Sequence, residues 1–179
     1  MKDDNGGKQV VGRVALHPSA GLKVGVSAAR GPFPTRAALE SAGQPGQRFT
    51  QTAWGVDAEY SRDYYLLRYE SIVSDWRLPI VRAPDLELPL RAVSHAVEGR
   101  YKIRPRLYVA ARVDHLGFSQ ITGTTRRDAW DAPVTRVEGG GGYSPQRNVQ
   151  LKLSFQRNTR SAGRVRNMKI SAAQLVFWF

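Results

Sequence analysis

The last eleven residues of the chain, 169–179, alternate between two sets of side chains as a β-strand requires. Counting back from Phe179, one face carries Phe177 and Leu175, and the other face carries Trp178 and Val176. Chain ends normally fray in water, so an apolar strand that runs to a terminal carboxylate is unusual for a soluble protein. This stretch predicts that the chain ends inside a β-sheet, and the rest of the sequence must decide which kind of sheet.

The same alternation recurs along the whole chain and predicts about nine β-strands. In the clearest case, 149–156, four apolar residues alternate with Gln, Lys, Ser and Gln. Helix signals are few, and the best of them, 36–42, is so short and so closely followed by Gly and Pro that we interpret it as a loop turn. The predicted strands are 9–16, 22–28, 49–60, 64–74, 91–103, 107–118, 133–143, 149–156 and 169–179.

The predicted connections alternate between short turns and long loops. This asymmetry is typical of outer-membrane β-barrels, which have short periplasmic turns and long extracellular loops. Aromatic residues beside the short turns, Tyr60, Tyr65, Tyr101 and Tyr143, match one interfacial girdle, and Phe49, Trp76, Phe118 and Trp130 near the other strand ends match a second. The turns are predicted near 17–21, 61–63, 104–106 and 144–148, and the loops near 31–48, 75–90, 119–131 and 158–167.

We therefore predict an all-β fold, an antiparallel up-and-down transmembrane β-barrel formed by residues 9–179. Closed bacterial barrels normally have an even number of strands, so about nine strands indicate part of a larger barrel. By parity, the polar segment 1–8 falls on the extracellular side. Because it lacks the apolar region of an export signal, we expect the chain to be truncated at its N-terminus.

Composition narrows the alternatives. The 179 residues carry a formal net charge of +12, which favours anionic partners such as nucleic acid, lipopolysaccharide phosphates or anionic solutes. Cysteine is absent, which excludes a disulfide framework and a thiolate zinc site. The longest apolar run falls far short of the roughly 20 residues of a spanning helix, so a helical inner-membrane protein is excluded.

Four segments resemble the C-terminal part of Gram-negative outer-membrane porin-like β-barrels, in particular those of the phosphate-selective type: 107–114, 137–143, 149–156 and 174–179. The resemblance implies an outer-membrane location, passive transport through a water-filled lumen, no cofactor, and trimers of complete barrels. It also implies recognition by the barrel-assembly machinery through a terminal signal, here Leu175, Phe177 and Phe179. The surrounding partners would be outer-membrane lipid and lipopolysaccharide. The basic residues of the outer loops offer contacts to lipopolysaccharide phosphates, although solvated loop charge is the better interpretation for each of them singly: Arg126, Arg127, Arg160, Arg164 and Arg166.

If the apolar face contacts lipid, the polar face lines the lumen and its charges set selectivity. Six of the basic residues favour small anionic solutes: Arg68, Arg100, Lys102, Arg112, Arg136 and Lys152. For any one of them, pairing with an opposite charge on a neighbouring strand is an equally good interpretation. The lumen candidates are Arg68, Glu70, Glu98, Arg100, Lys102, Arg112, Asp114, Arg136, Glu138 and Lys152, together with Arg13, Lys23, Asp57 and Glu59.

Enzyme signals are weak, and we predict that the chain is not an enzyme. The histidines His17, His95 and His115 are scattered along the sequence, which argues against a metal site, and the serines lack the context of a nucleophile elbow. Two other functions stay open. One is a soluble, basic, all-β protein that binds nucleic acid through Arg, Lys and interleaved aromatic residues. The other is a non-conducting outer-membrane barrel that acts as an anchor or adhesin.

Overall fold

The computed structural model describes residues 7–78, 89–122, 127–162 and 166–178. Within these ranges the chain forms eleven strands and one short helix. The helix is α1 (Arg36–Ser41), and the strands are β1 (Val10–Ser19), β2 (Leu22–Pro32), β3 (Thr50–Arg62), β4 (Tyr65–Trp76), β5 (Leu90–Arg104), β6 (Leu107–Phe118), β7 (Gln120–Thr122), β8 (Arg127–Ala129), β9 (Val134–Gln146), β10 (Val149–Arg160) and β11 (Asn167–Phe177).

Nine of the strands form one antiparallel sheet in which each strand pairs with its neighbours in the chain. The spatial order is β1-β2-β3-β4-β5-β6-β9-β10-β11, and β7 and β8 form a separate hairpin between β6 and β9. This arrangement confirms the predicted all-β, antiparallel up-and-down fold. Across the ranges given above, β1 and β11 do not pair with each other, so the sheet is open.

The four short turns are two-residue hairpins, shorter than the sequence predicted. The residues between the paired strands are 20–21, 63–64, 105–106 and 147–148. Turns of this length match the twist of the flanking strands when their residues adopt positive φ. Gly21 has a φ of 80°, and a Cβ there would meet the carbonyl oxygen of Ser61, so this position requires glycine.

Three predicted connections differ from the structure. β1 continues through 17–19, where the register with β2 is irregular, because an edge strand tolerates the missing N–H of Pro18. Segment 36–41 is a helix whose N-terminus is capped by Thr35 Oγ1, which accepts a hydrogen bond from Ala38 N at 3.2 Å. The predicted loop 119–131 contains the β7–β8 hairpin.

The two faces of the sheet differ sharply in polarity. One face, here called the apolar face, carries aligned rows such as Tyr69, Val97, Val113 and Val137 on β4, β5, β6 and β9. Its side chains are uncovered: Phe155 is 67% exposed and Trp54 is 61% exposed. Leu90 is the one buried hydrophobic side chain among the described residues. Soluble monomers rarely expose an apolar surface of this extent, so the face requires an apolar environment.

No helix within the described ranges is long and apolar enough to cross a membrane.

Candidate functional site

The opposite face, here called the polar face, carries a row of charged residues whose sign alternates from strand to strand. Each member lies directly across from the next in the sheet register, on six consecutive strands from β2 to β9. The period of two residues places all of them on one face of the sheet. The row, here called the charge row, is Lys23, Glu59, Arg68, Glu98, Arg112 and Glu138.

Two arginines hold the middle of the charge row together. Arg68 Nε lies 2.7 Å from Glu59 Oε2, and Arg68 Nη1 lies 3.4 Å from Glu98 Oε1. Arg112 contacts Glu98 at 3.7 Å and donates to Asp114 on its own strand at 2.8 Å. The two arginines are 51% and 41% exposed, so water screens their attraction to the carboxylates and each pair contributes about 1 kcal/mol or less to stability. Their main consequence is an ordered strip of fixed charge.

A hollow of about 400 Å³ lies on the polar face beside the charge row. Its floor is lined by small residues at one level of four neighbouring strands: Ala110, Gly140, Ser154 and Ala172. Side chains this small leave room above the sheet, whereas Arg112 and Glu138 border the hollow on one side and Tyr108 and Lys152 border it on the other. The hollow is therefore a polar recess of the size of a small solute.

Cations at the hollow, and Lys102 next to it on β5, are not neutralised by nearby acids. The guanidinium of Arg100 stacks over the ring of Tyr108 at 3.8 Å, which is a cation–π arrangement. Among the described residues, no acidic group lies within ion-pair distance of Arg100, Lys102 or Lys152. Glu138 is likewise without a basic partner within that part of the chain. The hollow thus presents both unpaired positive charge and one unpaired carboxylate.

All the predicted lumen residues lie on the polar face, and their role in selectivity stays a prediction. Glu70 lies opposite Asp57, so two acids face each other between β3 and β4. Arg136 lies opposite Asp114, yet its Nε donates to Asn158 Oδ1 at 3.2 Å. The structure therefore pairs some of the predicted charges, as the alternative interpretation held, and leaves others unpaired.

The predicted tyrosine girdle lies on the apolar face beside the two-residue turns. Tyr65 and Tyr101 are directly opposite each other, with ring centroids 4.8 Å apart, and Tyr60 and Tyr143 share their face. Whether these rings sit at a membrane interface stays a prediction.

The second predicted girdle was wrong for Trp76 and Phe118. Both residues have the parity of the polar face, and they pack edge-to-face against Phe33 and Trp130 at the ends of the long loops. The alternation of the strands therefore directs these rings away from the apolar face.

Two of the three predicted assembly-signal residues lie on the apolar face of β11. Leu175 is opposite Leu151, and Phe177 is opposite Val149. Both side chains are exposed, and Phe177 is 66% exposed. Phe179 lies outside the described residues, as do Arg126 and Arg164 among the basic loop residues. Of the other loop arginines, Arg160 contacts Asp131 at 3.4 Å.

The structure forms a histidine pair that the sequence did not predict. His95 and His115, 20 residues apart, lie directly opposite each other on β5 and β6. The Tyr69 hydroxyl lies 3.2 Å from His95 Nδ1, and Thr135 Oγ1 lies 2.9 Å from His115 Nδ1. In the described part of the chain, these histidines do not join a cluster of three or more residues suited to a metal ion. The pairing depends on the register between β5 and β6, which could not be derived from the sequence.

Comparison with known proteins supports the fold. No protein family matched the chain, and no curated protein sequence matched it either. The structure is similar to that of "Outer-membrane expressed OmpT of Vibrio cholerae", with a TM-score of 0.62 and 13% sequence identity. The match covers 96% of this chain and 57% of the OmpT chain. The chain therefore has the fold of an outer-membrane β-barrel and spans little more than half the length of the matched protein.

This similarity corrects one prediction. The prediction that the chain is not an enzyme was wrong: it rested on the weakness of the motif signals, and the chain shares its fold with OmpT. A barrel fold hosts many unrelated functions, so at this identity the likeness leaves catalysis open.

Proposed function

We propose that the chain belongs to an outer-membrane barrel whose polar face lines a water-filled passage for small solutes, with a bias toward anions. The charge row is the observation that carries this proposal. Six neighbouring strands place alternating fixed charges on one face, while the opposite face of the same strands is apolar. Lumen-facing and lipid-facing residues alternate in the same way in membrane barrels that conduct.

The charge row gives the passage an ordered electric field. Arg68 and Arg112 sit between carboxylates on both neighbouring strands, so the sign of the fixed charge changes from strand to strand along the charge row. Rings and rows of fixed charge are the elements that set selectivity in water-filled pores. A permeating solute with separated charges would be oriented by this field as it passes.

The bias toward anions follows from the cations that lack a partner. Arg100, Lys102 and Lys152 project from the polar face without an acid in ion-pair distance among the described residues, and the unpaired acid beside them is Glu138. Arg100 and Lys152 border the hollow, where a small anion could be held briefly between them. The resemblance to phosphate-selective-type porins agrees with this choice of solute class.

Membrane insertion is part of the same proposal. In lipid, the unpaired N–H and C=O groups of a strand edge are costly, so the free edges of β1 and β11 need strand partners that complete the sheet. We place the barrel in the bacterial outer membrane, folded there by the assembly machinery through Leu175, Phe177 and Phe179. The lipid and lipopolysaccharide of that membrane surround the barrel, and complete barrels associate as homotrimers.

A conductance experiment tests the proposal. The chain is refolded in detergent, and the species that shows a heat-dependent shift in gel mobility, as a closed sheet would, is added to planar bilayers under a KCl gradient. We expect stepwise conductance and a reversal potential that indicates preference for chloride. The variant Arg100→Gln/Lys152→Gln should lower that preference, whereas Arg30→Gln, which removes an exposed cation on the apolar-face side of β2, should not. A soluble β-rich monomer without conductance would refute the proposal and favour a nucleic-acid-binding assay.

A further inference from the structure

Charged residues on the apolar face are few and are confined to strand ends. Within the described ranges, the single acid on this face is Asp75, which Arg91 holds at 2.7 Å. Arg30 and Arg62 lie next to strand termini. Arg157 and Lys169 stand apart from these, because they lie directly opposite each other on β10 and β11.

The Arg157–Lys169 pair is costly as it stands. Like charges directly opposite each other in an antiparallel pair destabilise the sheet. Both side chains are exposed, and neither has an acidic partner among the described residues. Their neighbour in the same row is Val137 of β9, which is 52% exposed. An arrangement of two cations beside apolar side chains calls for an external anion.

The position of the pair along the strands defines where that anion would be. Arg157 lies eight residues beyond Val149, the first residue of β10 after its short turn. At about 3.3 Å per residue and a tilt of about 45°, this separation corresponds to roughly 20 Å along the membrane normal. The apolar band of an outer-membrane barrel is about 25 Å tall. The pair therefore lies near the boundary of the band on the side of the long loops.

The residues above and below the pair change from polar to apolar. Thr159 and Asn167 are the next outward pair toward the long loops, with 3.4 Å between their side-chain oxygens. Toward the short turn, the next positions are Phe155 and Ser171, followed by Leu153 and Ala173. A lipid has the same order, with a polar headgroup above apolar chains.

We infer that Arg157 and Lys169 form a site for the phosphorylated headgroup of an outer-leaflet lipid, whose acyl chains lie against Phe155 and Leu153. The guanidinium fork binds two phosphate oxygens at once, and the lysine ammonium supplies a compact second charge. The anion would also remove the repulsion between the two cations. This inference rests on the proposed membrane location, and it assigns a lipid contact that is independent of the polar face.

A lipid-binding experiment tests it. The full chain is refolded in neutral detergent, and its thermal unfolding is followed by tryptophan fluorescence with bisphosphorylated lipid A, dephosphorylated lipid A or inorganic phosphate added. We expect bisphosphorylated lipid A to raise the unfolding midpoint and the other two probes to leave it nearly unchanged. Arg157→Gln/Lys169→Gln should bind lipid A roughly 30-fold more weakly, equivalent to about 1 kcal/mol for each basic residue. Lys23→Gln/Lys102→Gln removes the same charge from the polar face and should keep the wild-type shift.

Each result decides between the alternatives. An equal shift with both lipids, or wild-type binding by Arg157→Gln/Lys169→Gln, overturns the site while leaving the barrel intact. A shift with inorganic phosphate alone identifies a free anion rather than a lipid and also overturns it. If the wild type shows no heat-modifiable species, the proposed function fails and the lipid site fails with it. If the double variant does not refold, Arg157→Lys/Lys169→Arg takes its place and should retain lipid A binding. Added salt should then weaken the binding of lipid A, since the interaction is electrostatic.

Discussion

The ring of Tyr108 occupies the space that a side chain on Gly142 would need. The two residues lie opposite each other on β6 and β9, and a Cβ on Gly142 would clash with the tyrosine ring. The same ring lies under the guanidinium of Arg100. Glycine at 142 therefore allows Tyr108 to lie across the neighbouring strand and to position a cation at the edge of the hollow.

Gly142→Ala is expected to displace this ring. A methyl group at 142 must push Tyr108 away or strain the backbone, and overpacking of this kind costs typically 1–3 kcal/mol. Gly139→Ala is the matched control, since a Cβ there meets nothing within 4 Å. Urea unfolding of both variants in detergent measures the difference. Equal stability of the two variants would show that Tyr108 does not depend on the glycine.

Adjacent positions on β5 test the assignment of the two faces. Val97 lies in the apolar row, whereas Ala96 lies on the polar face between Glu70 and Asp114. Val97→Lys should destabilise the membrane-inserted state by roughly 1–4 kcal/mol, because the cost of a lysine that faces lipid rises with its depth in the bilayer. Ala96→Lys should cost little, because water and two carboxylates receive its charge. The free energy of unfolding from lipid vesicles, measured for both variants, compares the two costs. A larger cost for Ala96→Lys than for Val97→Lys would mean that the polar face, not the apolar face, contacts lipid.

The Arg68–Glu59 pair is expected to couple weakly despite its short distance of 2.7 Å. Arg68 is 51% exposed, so water screens the attraction between the two groups. A double-mutant cycle with Arg68→Ala and Glu59→Ala should give a coupling energy below about 1 kcal/mol that falls further with added salt. A salt-independent coupling of several kcal/mol would mean that the charge row is sequestered from water.

The alternation of side chains was sufficient to predict the nine strands of the large sheet and the faces of most of their residues. The predicted bounds of β6 agree with the structure. The members of the charge row were predicted on one face because the apolar and polar side chains of each strand alternate with a period of two. The apolar side chains of β10 were recognised for the same reason.

Relationships between strands were beyond the reach of a single sequence. The pairing of His95 with His115, and of Arg157 with Lys169, depends on register, which the turn geometry fixes. The turns predicted from the sequence were longer than two residues, so they did not define the register. The β7–β8 hairpin was not predicted for a different reason: strands of three residues are too short to show an alternation of apolar and polar side chains.

That hairpin is joined to the sheet by Trp130, whose Nε1 donates to the carbonyl oxygen of Arg91 at 2.9 Å. Its ring also packs edge-to-face on Phe118 at 4.7 Å. Trp130→Phe keeps an aromatic ring but removes the N–H donor. The lost hydrogen bond contributes roughly 0.5–1.5 kcal/mol to the stability of the hairpin. Amide hydrogen exchange in the hairpin should therefore accelerate by up to about tenfold, while global unfolding changes little.

Trp76→Phe is the matched control for Trp130→Phe. Trp76 packs edge-to-face on Phe33 in the same way, but its buried Nε1 has no hydrogen-bond partner among the described residues. Replacing it removes a buried polar group that gains nothing from its surroundings, so the variant should be neutral or slightly stabilising. Hydrogen exchange at 119–131 should stay at the wild-type rate. If both variants accelerate exchange there equally, ring volume rather than the Trp130–Arg91 hydrogen bond holds the hairpin.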